Sequence, residues 1–121
     1  MVVRVQVEGD QLVARLSWGL ALAAGRRTLR VPVDRVTDVR VEPSWWRALR
    51  GTPGRHYRCR PGRWCAGELI HPKGRDFVAL LEGEPALVVD LRHWRSPYAR
   101  LALAVHDPYG STALLRQHAT G

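Results

Sequence analysis

Leu29-Arg-Val-Pro-Val-Asp-Arg-Val-Thr-Asp-Val-Arg-Val-Glu-Pro43 decides the fold class of this chain. It reads as a strand, a proline-and-aspartate corner and a second strand. In the second strand Val39 and Val41 alternate with Asp38, Arg40 and Glu42, so valines face one side and charges the other. Period-two patterning of this kind belongs to a half-buried antiparallel sheet. Upstream, Val3, Val5 and Val7 repeat the alternation, Gly9-Asp10 marks a turn, and Leu12 to Ser17 returns. Trp18 to Gly25 is compatible with a helical turn or with a bulged continuation of the strand. Downstream, Trp64 to His71, Arg75 to Leu81 and Ala86 to Leu91 predict a meander joined by Pro-Lys-Gly and Glu-Gly-Glu-Pro turns. Arg100 to Val105 is the last expected strand. Asp107-Pro108 then predicts a helix start, with aspartate capping the free amides and proline at the first helical position. That helix should end near His118 and pack through Leu114 or Leu115. The sum is a mainly β protein: a bent antiparallel sheet or barrel of about seven strands with one C-terminal α-helix.

A length of 121 residues suits one domain, 1–121, with a core of its own, and 45% apolar with 25% charged residues is the composition of a folded protein. The N-terminus lacks the apolar core of a signal peptide, which predicts a cytoplasmic protein with Cys59 and Cys65 reduced. The net charge is +8, and residues 40–75 hold nine basic groups against two acids, so the middle third supplies nearly all of it.

The order of elements resembles the bacterial pleckstrin-homology-like (PH-like) domains. The residues that carry the resemblance are Val31-Pro-Val-Asp-Arg-Val-Thr-Asp-Val39, Gly67-Glu-Leu69, Arg75-Asp-Phe77, Pro85-Ala-Leu-Val-Val-Asp-Leu91, Tyr98-Ala-Arg-Leu101 and Val105-His-Asp-Pro108. The resemblance implies a bent barrel plugged by its C-terminal helix, and a scaffold or self-associating role. Eukaryotic members bind inositol phosphates through basic residues of the first hairpin loop. Here that loop is Glu8-Gly-Asp-Gln11, short and acidic, so the resemblance does not carry that ligand across.

Pro43 to Arg63 reads as a long basic loop with one helical turn near Ser44 to Leu49. Within it Trp45, Trp46, Arg47, Arg50, Arg55, Arg58, Arg60 and Arg63 combine guanidinium forks with flat rings, joined by Tyr57 and Trp64. Such a set grips phosphate or carboxylate and stacks bases, or else its tryptophans simply cover an open end of the sheet. His56, Cys59, Cys65 and His71 are soft ligands, but their spacing departs from the paired knuckles of structural zinc sites, so no metal is expected. A Cys59–Cys65 disulfide would need an oxidising environment. Ser17, Ser44, Ser96 and Ser111 sit in no nucleophile elbow. His93 and His106 neighbour Asp90 and Asp107 only along the chain. The sequence therefore predicts a non-catalytic interaction module, with no cofactor, for a protein partner or its own copies. The alternative is a binder of polyanions, nucleic acid or anionic lipid heads, through residues 43–63.

Overall fold

The computed structural model describes residues 2–92 and 97–120. Its strands form two sheets. The first holds β1 (Val3–Glu8), β2 (Gln11–Leu16) and β3 (Thr28–Pro32) in that order, all antiparallel. The Gly9-Asp10 turn closes β1 on β2 where the sequence places it, with Glu8 opposite Gln11. The second has the order β4 (Val36–Glu42), β9 (Ala86–Leu91), β10 (Arg100–Leu103), β8 (Gly74–Leu81), β7 (Trp64–His71), β5 (Thr52–Pro53), and β6 (Arg58–Arg60) also pairs with β7. No barrel closes among the described residues. One parallel bridge, Val3 to Val105, ties the first sheet to the chain beyond β10.

The expected meander is corrected at its third strand. β8 pairs with β7, but β10 lies between β8 and β9, parallel to the former and antiparallel to the latter. The physical reason is two-faced burial. Phe77–Leu80, Ala86–Val89 and Leu101–Ala104 are runs of four consecutive buried residues, the mark of central strands covered on both sides. On one face Phe77, Ala79, Leu87, Val89, Leu101 and Leu103 join the first sheet and both helices in the main core. On the other, Val78, Leu80, Ala86, Val88 and Ala102 form a second core with Leu69 and Ala48, packed against Trp45, Leu49 and Tyr57.

The single-helix expectation is corrected as well. α1 (Trp18–Ala24) buries Leu20, Ala21, Ala23 and Ala24 and stops at Gly25, whose φ of 71° is the left-handed conformation that ends helices. The Leu/Ala content favours the helix over a bulged strand. α2 (Pro108–Thr120) follows the expected rules. The Gly110 N–H donates to Asp107 Oδ1 at 3.0 Å, Leu115 is buried, and Leu114 is 37% exposed. Arg116 fastens α2 to β4 by donating through Nε and an Nη to the Val39 carbonyl at 3.0 and 2.7 Å. No described helix is long and apolar enough to cross a membrane.

Candidate functional site

Residues 43–63 do not project as one basic loop. They wrap the edge of the second sheet, and this divides the eight side chains expected to form a site. Trp45 to Ala48 make a 3-10 turn over the second core, where Trp45 is half-buried and Trp46 lies exposed beside the Arg47 guanidinium, 5.1 Å from its ring centre. Arg50 is committed to structure. Its Nε and an Nη donate to the two oxygens of Asp76 at 2.6 and 3.1 Å, and Asp76 is fully buried. The Asp76 carboxylate also accepts from His71 Nε2 at 2.7 Å, while His71 Nδ1 accepts from the Lys73 N–H at 3.2 Å. Both imidazole nitrogens are thereby used, which fixes the tautomer. Stripping Arg50 from this carboxylate would leave a buried charge short of its partner, a loss of about 3–5 kcal/mol. The same face continues in a lateral row of charges, in which Asp90 accepts from Arg100 Nε at 2.6 Å and from Arg40, itself bonded to Asp38.

Arg58 and Arg60 lie on edge strand β6, opposite Ala66 and Trp64, so both point to the side of the main core and stay exposed. Between them Cys59 stands opposite Cys65, and the two are joined by a disulfide. This corrects the expectation of reduced cysteines. The antiparallel register places the two Cα atoms 4.1 Å apart on one sheet face, within bridging reach. With its sulfurs bonded to each other and His71 bound to Asp76, the four-residue set considered for zinc is not assembled as a ligand cluster. Arg63 is exposed beyond β6. Tyr57 donates its hydroxyl to Cys59 Sγ at 3.2 Å, and burial pushes its phenol up from the ordinary value.

Arg55 lines a cavity of about 350 Å³ between the end of α1, strands β7 and β8, and Pro97-Tyr98. Arg26, Arg55 and Arg75 line it with His56, Glu68 and Tyr98, over Phe77. Three local features build it. The Gly25 turn delivers Arg26. His56 takes a left-handed φ of 57°, uncommon for a side-chain-bearing residue, and its ring packs against Gly25. Gly67, at φ 128°, lets the backbone of His56-Tyr57 cross so close to β7 that any Cβ would collide with it.

Inside, the Arg26 guanidinium donates to the Tyr98 hydroxyl at 2.8 Å, and that hydroxyl donates to Glu68 Oε2 at 2.7 Å. Burial, and then the hydrogen bond to Glu68, hold the Tyr98 phenol protonated by pushing its pKa up to about 12. Arg75 lies 3.6 Å from Glu68 Oε1, an ion pair too long for a hydrogen bond. Three guanidinium groups thus face one carboxylate, and the cavity is cationic. Arg26, Arg75, Glu68 and Tyr98 escaped the sequence reading because they come from four segments. The one signal for the two arginines was the excess of arginine itself, and Glu68 and Tyr98 had none.

His106 is exposed, and His93 and Ser96 lie outside the described residues. No family model, no curated protein and no solved structure matches this chain.

Proposed function

We propose that this chain is a non-catalytic binding module, PH-like in its succession of strands and terminal helix, that takes an anionic group in the cavity between α1, β7 and β8. One observation carries the reading: Arg26, Arg55 and Arg75 reach the same cavity from three separate segments, against a single carboxylate. Guanidinium forks in a partly enclosed site are the groups that hold phosphate or carboxylate by charge-assisted pairs.

Isothermal calorimetry with inorganic pyrophosphate at low ionic strength tests the proposal. Arg55→Ala and Arg75→Ala should each weaken binding roughly ten- to a hundredfold, the worth of a hydrogen bond to a charged group, with an unchanged circular dichroism spectrum. Absence of binding by the unaltered protein at millimolar pyrophosphate would overturn it. A second reading, protein binding or self-association, is favoured by Trp18 and Leu22 on α1, 66% and 75% exposed one helical turn apart. Light scattering that finds a monomer at every concentration removes self-association. A cytoplasmic location belongs to the same proposal, and cell fractionation that recovers the chain with cytoplasmic markers would support it.

A further inference from the structure

The anion-binding reading accounts for the arginines of the cavity and leaves Glu68 without a task. Its Oε2 is satisfied by Tyr98, but Oε1 is shielded from solvent and has no hydrogen-bond partner among the described residues. A shielded carboxylate oxygen without a donor is an open position, since the desolvation cost of the acceptor is met by no bond. Among the described residues its ion-pair partner is Arg75 at 3.6 Å, on a side chain 58% exposed and therefore free to swing.

Resting on the anion reading, we propose that the ligand is a zwitterionic phosphate ester, its phosphate held by the arginines and its ammonium by Glu68 Oε1. An ammonium has three N–H donors and no acceptor, which suits a lone carboxylate oxygen. On binding it would take the place of Arg75 beside Glu68, and Arg75 would turn to the phosphate. Charge balance at Glu68 is kept, and a long ion pair is exchanged for a hydrogen-bonded one. The Tyr98 hydroxyl, fixed between Arg26 and Glu68, keeps the carboxylate from rotating away from that position. A cavity of about 350 Å³ has room for an aminoalkyl phosphate. The chemistry is shared by a soluble ester and by an aminophospholipid headgroup.

Phosphoethanolamine and ethyl phosphate differ by the amine alone, and titration calorimetry of both decides the matter. The unaltered protein should bind phosphoethanolamine at least tenfold tighter than ethyl phosphate. Glu68→Gln, equal in size, should abolish that preference while ethyl phosphate binding stays or improves. Equal affinity for the two esters, or a preference that survives in E68Q, would overturn the zwitterion while leaving the anion site in place. Binding of neither ester by a protein that binds pyrophosphate would overturn the zwitterion alone, and binding of none of the three would overturn both. Should E68Q fail to fold, the comparison of the two esters on the unaltered protein still decides. Cosedimentation with phosphatidylethanolamine vesicles assigns the source: retention by vesicles marks a headgroup, and binding of the free ester alone marks a soluble ligand.

Discussion

Tyr98 and Asp90 show how single residues couple this fold to pH in opposite directions. Tyr98 is buried, its ring tilted against Phe77 at 5.7 Å between centres, and burial with the Glu68 hydrogen bond raises its phenol to about 12. An unfolded tyrosine ionises near pH 10, so the stability Tyr98 contributes is complete below that value and is lost as pH rises towards about 12. For Asp90, burial works to raise the carboxyl, but hydrogen bonds from Arg100 and Arg40 outweigh it and hold the group below the ordinary range. Its contribution is present above the unfolded carboxylate value and is lost as pH falls through the acid range. We predict that Tyr98→Phe flattens the alkaline loss of stability between pH 10 and 12, measured by urea unfolding, and leaves the acid limb unchanged. An alkaline limb identical in Y98F and the unaltered protein would show that the phenol is not held as described.

Among the elements, strand β6 depends on a single covalent tie. It has three residues, pairs only with β7, and carries exposed Arg58 and Arg60 on either side of Cys59. Charges on an edge strand oppose further pairing, so the short ladder to β7, the disulfide and the Tyr57 contact are what hold it. Closing a loop with a sequence separation of 6 is worth about 2 kcal/mol in the chain-entropy account. Reduction, or Cys59→Ser, should therefore cost roughly that much stability. It should also raise amide exchange over residues 55–60, with the main core still protected. Equal exchange before and after reduction would refute this. The alternation of Trp64 to His71 already placed Cys65 and Leu69 on one inward face, and both are buried. What the sequence did not reveal was the partner strand: three residues amid prolines and glycines carry no periodicity of their own. The Asp107 cap and the Leu115 contact were legible because capping and helical spacing act within a few residues. The insertion of β10 between β8 and β9 is a non-local event. Its trace was the unbroken apolar run in each strand.

The positive charge of residues 43–63 is divided among separate places along the edge of the second sheet. Arg50 is absorbed by Asp76, Arg55 faces the cavity, Trp46 and Arg47 are exposed beside the Trp45 that covers the second core, and Arg58, Arg60 and Arg63 follow the β6 edge. The sequence showed how much positive charge this third carries and hid its partition, because position along a loop does not say which face of a sheet each side chain reaches. That partition separates two kinds of anion binding that the composition alone merges. A polyanion laid along the β6 edge would engage Arg58, Arg60 and Arg63, each contact releasing a counterion, so retention on heparin should fall steeply with salt. Replacing those three by alanine should lower the eluting salt concentration and flatten its dependence, with pyrophosphate binding in the cavity unchanged. Arg55→Ala and Arg75→Ala should do the reverse, weakening the small anion while changing heparin retention little. If the unaltered protein passes through heparin unretained at low ionic strength, the edge binds no polyanion and its arginines serve to keep the outer side of β6 from pairing with another strand. If instead the cavity variants lose heparin and pyrophosphate together, edge and cavity form one continuous surface, and the division between them is wrong.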